Sequence, residues 1–310
     1  MTLYAVFGPT GSGKTEVAVA LAAELGTEVV NCDPAQCYRG LPILTNQPGP
    51  EHDAVAPHRM IGVWGLDHVA SFVNFAAQAH AEIDELVERT GSAVACGGSG
   101  LYLQAALTSL PDGDAGGAPE HDPAARAELE RRFDAEGGIV LHGELAKLDP
   151  DVAARVHRND RIRIVRALEV AARGESISPA GGSHWDAPRR HTTQLIGLQV
   201  ERPVIRDRID ARTRRMFEVG VLDEVAALAG PDGSAADTAF SGTARKLHGL
   251  DDILGVLRGE WSQARAIELM STRTRQYAKR QDTWARRWPG LTWVDATDAD
   301  VSRIVATIQG

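Results

Sequence analysis

Apolar positions recur along the chain with two distinct periods, and the alternation between them predicts an α/β architecture. Leu3-Tyr4-Ala5-Val6-Phe7 is a β-prone apolar run of the length of a buried parallel strand. Behind it, Val17, Ala18, Leu21, Ala22 and Leu25 recur at helical spacing until Gly26 offers a C-cap. Glu28 to Asp33 reads as a second strand ending on an acid, and Ser92 to Cys96 as a third. Between these two, Phe72, Phe75, Ala76, Ala79, Ile83 and Leu86 mark the buried stripe of a helix over 71–88. The stretch from Thr45 to Val69, with Pro48, Pro50 and Pro57, reads as loop. Strand character returns at Thr193–Val200 and near Leu291–Val294, with helices expected over 203–228, 244–257 and 262–288 and at the C-terminus. Helical patterns alone fill 124–136, 141–148 and 161–173. Turn-rich stretches, Pro111 to Pro119 and Ser178 to Ser183, bound them. The economical reading is a core of residues 1–111 and 187–310 interrupted by an α-helical insertion over 112–186. No internal repeat is visible.

The link between the first strand and helix carries the strongest chemical signal. Gly8-Pro9-Thr10-Gly11-Ser12-Gly13-Lys14-Thr15 matches the phosphate-binding pattern G-x-x-x-x-G-K-[ST] in residues and in context. Glycines let successive backbone N–H groups converge on an anion at a helix N-terminus, where the dipole also favours negative charge. Lys14 adds a cation, and the Thr15 hydroxyl is placed to hold Mg²⁺. The fold class is therefore a P-loop-type parallel sheet flanked by helices. Because ligands in open α/β sheets gather beyond the carboxyl ends of strands, Asp33 should stand near this loop. A helix-cap carboxylate would occupy the same position, and the strand pattern alone leaves both roles open. Gly97-Gly98 after the third strand allows close backbone approach, to a ligand or simply to a neighbour.

Charge complicates the choice of partner. The 310 residues carry a formal net charge of −9, which argues against a generally nucleic-acid-binding surface. Three local runs are basic. Six Arg between Arg155 and Arg173 face Asp160 and Glu169, and six between Arg202 and Arg215 face Asp207 and Asp210. Between Ser271 and Trp288, Arg273, Arg275, Lys279, Arg280, Arg286 and Arg287 face Asp282 alone. One such run is an ordinary solvated face, whereas three can supply a groove for phosphates. Cys32, Cys37 and Cys96 form neither an even disulfide set nor a zinc pair, which points to packing residues in a reducing cytoplasm. No run approaches a membrane span, and the chain enters a strand without a signal segment.

With these motifs in register, the sequence resembles bacterial tRNA dimethylallyltransferases over nearly its whole length. The resemblance is carried by Gly8–Thr15, Asp33-x-x-Gln36-x-Tyr38-Arg39-Gly40, Pro57-His58 and Gly97-Gly98-Ser99-Gly100-Leu101-Tyr102. Further on come Asn159-Asp160 with Arg163 and Arg166-Ala167-Leu168-Glu169, then Arg202 with Arg208-Ile209, and Met216 to Gly220. The last motif runs from Thr274 to Trp284. The family moves a dimethylallyl group from dimethylallyl diphosphate to the adenine beside the anticodon, position 37. The resemblance implies Mg²⁺ as cofactor, the tRNA anticodon stem-loop as partner, a monomer, and no membrane attachment. It implies catalytic roles for Asp33 as base and for Thr15 and Arg208, with the diphosphate held by Gly8, Pro9, Thr10, Gly11, Ser12, Gly13, Lys14, Thr15, Arg202 and Arg208. It assigns tRNA contact to Asp33, Pro34, Ala35, Gln36, Ser99, Arg126, Arg163, Arg166, Ala167, Lys246 and Gly249. For the arginines of that set, plain helix-surface roles are the alternative.

This chain departs from the family at Pro34, where Ser is usual, and at Gln47, where Lys is common. Ser99 replaces the commoner Thr, and Gly249-Leu250-Asp251-Asp252 replaces a typical Gly-Tyr-Lys-Glu. Tyr38, Tyr102 and Trp284 are candidates for a substrate channel or for the core. Three rival readings remain: a P-loop small-molecule kinase, an adenylate isopentenyltransferase, and an RNA-binding protein without catalysis. The kinase leaves the Thr274–Trp284 signature without a purpose. The insertion and basic runs favour tRNA over a free nucleotide, and intact Lys14, Thr15, Asp33 and Arg208 weigh against lost catalysis.

Overall fold

A computed structural model of the chain describes residues 1–109, 123–176, 187–286, 288–298 and 300–309. It divides into two compact units, Met1–Ser109 with Arg189–Gly310, and Leu110–Pro188. The turn-rich stretches at 111–119 and 178–183 lie outside the described residues, as does Arg287 of the third basic run.

In the first unit six strands form one sheet: β1 Thr2–Phe7, β2 Val29–Asn31, β3 His58–Arg59, β4 Ser92–Gly97, β5 Thr193–Gln199 and β6 Thr292–Asp295. Their order is β3-β2-β4-β1-β5-β6, and every pairing is parallel. Strand β1 is central, with Phe7 opposite Gly97 on one side and Gly197 on the other. Period-two alternation along β1 separates two cores. Leu3, Ala5 and Phe7 join one, and Val6 joins the other.

The Val6 side is covered by α1 (Lys14–Leu25), through Val17, Ala18 and Leu21, and its core also includes Ile304, Val305 and Ile308 of a C-terminal helix, Val301–Gln309. The opposite core takes Phe75, Ala79, Ile83 and Leu86 from α2 (Phe72–Thr90) and Leu103, Ala106 and Leu107 from α3 (Gly100–Leu107). Ser71 caps α2 as its position before the apolar stripe requires, accepting the Asn74 N–H at 3.0 Å. Tyr38, Tyr102 and Trp284 belong to this core. Tyr38 is 2% exposed, Tyr102 lies edge-on to Phe75 at 4.9 Å, and Trp284 packs against Phe7 and Trp288.

Two expectations are corrected here. The segment expected to be loop over 45–69 contains the edge strand β3 and, at Pro50–Asp53, a helical turn begun by its proline. The run over 203–228 is two helices, Arg202–Glu218 and Val221–Ala229, because Gly220 adopts φ +100° between them. A long helix, Gln263–Ala285, carries the third basic run.

The second unit contains the helices Pro123–Glu136, Gly138–Leu148 and Arg161–Ala171. Leu141, Leu145, Val152, Ile164 and Leu168 form its core, with Leu129 and Phe133 packed against them. Among the described residues no helix is long and apolar enough to cross a membrane.

The glycine turn after β4 is dictated by packing. A Cβ on Gly97 would stand 2.6 Å from the Cys32 carbonyl oxygen, and one on Gly100 would fall 1.6 Å from the Trp284 ring. That ring is held by Phe7 and Trp288 and has little room to retreat. Gly100→Ala should therefore destabilise the fold by about 1–3 kcal/mol, the usual cost of overpacking. Urea unfolding read by tryptophan fluorescence measures this, and an unchanged midpoint would mean the indole moves freely.

Candidate active site

The phosphate-binding loop stands at the carboxyl end of β1. Gly11 and Gly13 have φ of +88° and +81°, conformations that L side chains rarely adopt. Gly8 is required by contact instead, since a Cβ there would meet the Ser12 hydroxyl at 2.2 Å. Gly13 is the N-cap of α1, so the orphan amides of the first turn face the position an anion would take. Ser12 Oγ is buried and has no hydrogen-bond partner among the described residues. A hydroxyl in that state suits an incoming oxygen ligand.

Asp33 follows β2 by two residues, and its carboxylate has a defined posture. Oδ1 accepts the Ala35 N–H at 3.1 Å, capping a 3₁₀ turn over Pro34–Cys37. Oδ2 carries no hydrogen bond among the described residues. The cap role left open by the strand pattern is thus occupied by one oxygen and leaves the other free. Asn31 sets this posture, accepting the Asp33 N–H at 2.9 Å and donating to the Asp33 carbonyl at 3.0 Å and the Met60 carbonyl at 3.1 Å. Asn31 was not among the expected site residues. Its signal in the sequence was a buried-strand amide two residues before the acid.

Lys14, Thr15, Asp33 and Gln36 line one narrow crevice together with His58. Its volume is about 10 Å³, room for about one water. His58 is held by Asp53, Nδ1 to Oδ1 at 2.8 Å, and its Nε2 is enclosed without a partner among the described residues. Burial holds its imidazole below the ordinary histidine range, against the opposing pull of Asp53. Cys96 also lines the crevice, and burial pushes its thiol up to about 12 although Lys14 opposes this, so it stays a thiol.

Two arginines on one helix face differ in their surroundings. Arg208, expected on the diphosphate, donates to the Gly11 carbonyl at 3.3 Å and the Thr297 carbonyl at 2.8 Å, tying this helix to the loop backbone. Arg212, one turn on, was not expected. Its Nε is buried without a hydrogen-bond partner among the described residues. Burial pulls its guanidinium below the ordinary range, opposed by the charges of Asp33 and Glu16. Arg202 lies exposed at the start of the same helix.

Around Asp33, the phenol of Tyr277 is pushed up to about 12 by burial and by the Asp33 charge, and its ring carries Arg280 at 5.7 Å. His248 stacks on the same ring and its Nε2 lies 2.8 Å from Thr274 Oγ1. Along the helix bearing Tyr277, Gln276, Lys279, Arg280, Thr283 and Trp284 line a cleft of about 460 Å³. Ser99 is the N-cap of α3, yet its hydroxyl makes no capping bond. Gly249, at φ +90°, caps the helix Leu250–Leu257, while Lys246 is exposed.

The departures from the family pattern have local partners. Gln47 donates to the Gln36 carbonyl at 3.0 Å and the Tyr38 carbonyl at 2.8 Å. Asp251 pairs with Arg245, and the fully buried Asp252 with Arg273 at 2.7 Å. Pro34 opens the 3₁₀ turn, where its missing N–H costs nothing.

In the helical unit the expected tRNA-facing arginines are ion-paired. Arg126 meets Glu130 at 3.0 Å, Arg163 meets Asp160 at 3.4 Å and Arg166 meets Glu169 at 3.0 Å. Ala167 is buried in that unit's core.

Among the described residues no three His, Cys, Asp or Glu gather to hold a metal. The donor set that exists, one threonine hydroxyl at the head of α1 beside a phosphate cradle, suits an ion that keeps water and substrate oxygens as ligands. Mg²⁺ behaves in that way.

Comparison with known proteins bears on the family and the fold. The family model for IPP transferase matches residues 36–288, and that for isopentenyl transferase matches residues 1–55. A tRNA dimethylallyltransferase of Anaeromyxobacter sp. is 39% identical over 292 residues, covering 94% of each chain. One from Corynebacterium efficiens is 36% identical over 310 residues, covering 100% of this chain and 99% of its own. Among solved structures, the tRNA isopentenylpyrophosphate transferase of Bacillus halodurans superposes with a TM-score of 0.69 at 32% identity. That match covers 99% of this chain and 94% of the other. A eukaryotic dimethylallyltransferase acting on tRNA shares the fold, with a TM-score of 0.78 at 24% identity over 99% of this chain and 77% of its own. With a family model spanning most of its length and relatives alike from end to end, the chain belongs to the IPP transferase family.

Proposed function

We propose that this chain transfers the dimethylallyl group of dimethylallyl diphosphate to the N6 amine of the adenine at position 37 of tRNA, releasing diphosphate. The observation that carries the reading is the pairing of a phosphate cradle and an unpartnered buried guanidinium nitrogen, Arg212 Nε, with one free carboxylate oxygen on Asp33. Family membership supports tRNA as the acceptor, and the residues of the site support the chemistry.

The exocyclic amine is a poor nucleophile, because its lone pair is delocalised into the ring. Bond formation from N6 to the allylic C1 therefore accompanies departure of diphosphate, which leaves with the C1–O electron pair. The loop amides, Lys14 and Arg212 face the growing negative charge, the place where fixed dipoles and cations lower a barrier most. Arg208 acts through the loop backbone. The amine loses its proton as it alkylates, and Asp33 Oδ2 is the acceptor. The Thr15 hydroxyl would hold Mg²⁺, which when bound neutralises charge on the diphosphate oxygens. The adenine must leave its stack to reach Asp33. The cleft lined by Lys279 and Arg280, with Arg280 over the Tyr277 ring, supports entry of a splayed base and its phosphates. We extend the reading to a monomer working in the cytoplasm, where tRNA is available.

Incubation with dimethylallyl diphosphate, Mg²⁺ and unmodified tRNA, followed by nucleoside mass analysis, tests it directly. A prenylated adenosine is expected. Turnover of ATP to a phosphorylated small molecule without prenyl transfer would instead favour a kinase.

Asp33→Asn keeps the cap on Ala35 but cannot accept a proton, so kcat should fall by about 10²–10⁴ with both substrate affinities nearly intact. A kcat within about threefold of wild type, below the range for a lost base, would leave Asp33 a cap and assign the proton to water or diphosphate.

The two arginines are separable. Arg212→Met should cost about 10²–10³ in kcat/KM for dimethylallyl diphosphate, the usual loss of one preorganised donor. Arg208→Met should cost roughly tenfold, the scale of a charge-assisted hydrogen bond. Equal losses in steady-state kinetics would place both cations on the diphosphate.

Affinity for tRNA should fall as salt rises, because each phosphate contact releases counterions. Arg163 is 69% exposed and its pair with Asp160 is of the weak surface kind. Arg163→Ala should therefore weaken tRNA binding and flatten the salt slope, with diphosphate binding unchanged. An unaltered slope in filter-binding titrations would make Arg163 plain surface.

A further inference from the structure

One buried carboxamide joins two parts of the site, and the mechanism above does not use it. Gln281 is 6% exposed, deep in the helix Gln263–Ala285. Its Oε1 accepts the Thr10 N–H of the phosphate-binding loop at 3.0 Å. Its Nε2 donates to the Gly98 carbonyl at 2.7 Å, in the turn that leads to Ser99. Gly98 is a glycine for this reason, since a Cβ there would stand 2.6 Å from Gln281 Nε2 and 3.1 Å from the Gly8 carbonyl oxygen. The neighbouring Gly97 packs against the backbone just before Asp33, where a Cβ would stand 2.6 Å from the Cys32 carbonyl oxygen and the Cys32 N–H donates to the Cys96 carbonyl at 2.7 Å.

We propose that Gln281 is a positioning residue, which sets the distance between the diphosphate cradle and the place where the acceptor amine waits beside Asp33. The assignment rests on the prenyl-transfer reading. A carboxamide suits the task because it presents one acceptor and one donor in a fixed plane, and the loop offers an N–H where the turn offers a carbonyl. The Thr10 amide is thereby taken out of the anion-binding set, and the remaining loop amides are aimed by it. If the two halves drift apart, the allylic carbon loses its amine before it loses its leaving group. Water then bonds to C1 as the C1–O bond breaks, the electron pair leaves with diphosphate and the water proton goes to solvent, giving dimethylallyl alcohol in place of prenylated tRNA.

The test measures both products. Gln281→Met keeps length and volume but removes both hydrogen bonds. Its kcat for transfer should fall by about 10²-fold, the cost of an ångström-scale misplacement, with KM for either substrate unchanged and alcohol above the wild-type background. Gln281→Glu, which keeps the Thr10 contact but sets an oxygen against the Gly98 carbonyl, should lose coupling as well. Gly98→Ala disturbs the same joint from the other side with the carboxamide intact, and should reproduce the alcohol. It decides alone if Gln281→Met does not fold. A wild type that consumes no dimethylallyl diphosphate would overturn this and the reading beneath it. A coupled wild type beside a coupled Gln281→Met or Gly98→Ala, or a loss confined to KM, would overturn this assignment alone.

Discussion

A guanidinium enclosed by protein with no partner for its Nε is a costly arrangement, and the rest of the site is organised around that cost. Arg212 is held in this state, with the charges of Asp33 and Glu16 acting on it from a distance. The loop amides at the head of α1 and the Lys14 ammonium add potential of the same sign. A protein that is acidic overall has therefore gathered a local excess of positive charge at the carboxyl end of its central strand. On the proposed reading, a bound diphosphate would offset that excess and draw its affinity from the feature that costs the free chain. Asp33 has one oxygen tied to its own backbone turn and the other left over.

That arrangement requires backbones to approach closely, and the approach is where reading the sequence alone ran out. The phosphate-binding loop was legible because its eight residues, its strand and its helix are contiguous. The turn Gly97-Gly98-Ser99-Gly100 was ambiguous because the atoms that demand its glycines belong to Cys32, Gln281 and Trp284, far off in sequence. Asp33 was placed correctly beside the loop, yet whether it capped a turn or faced the site depended on Asn31 and Ala35 hydrogen bonds that no periodicity encodes. Strand β3 went unseen because two paired residues carry no pattern. The break at Gly220 was hidden by apolar positions that continue on either side of it.

The choice between Arg208 and Arg212 shows the limit more sharply. The two are four residues apart on one helix and share a face, so spacing cannot separate them. What separates them is one helical turn of depth. Arg208 donates to the backbone carbonyls of Gly11 and Thr297, whereas Arg212 Nε is buried without a hydrogen-bond partner among the described residues. A resemblance transfers residue types to positions. Only the surrounding atoms show which of its donors each guanidinium already uses.

The same distinction governs the arginines of the helical unit. Arg163 and Arg166 stand one turn apart and both are ion-paired, but their partners differ. Asp160 is partly exposed and also caps its helix, so Arg163 can exchange it for a phosphate at little cost. Glu169 has 1% of its side chain exposed and pairs with Arg166 at 3.0 Å. Removing Arg166 takes one charged partner from a buried carboxylate, which costs stability before it costs any RNA contact. Weakened tRNA binding in an Arg166 variant would therefore say little about phosphate contact unless the fold were measured beside it. On the proposed reading Arg163 is the residue that meets RNA, and Arg166 is the one that keeps the helix presenting it in place.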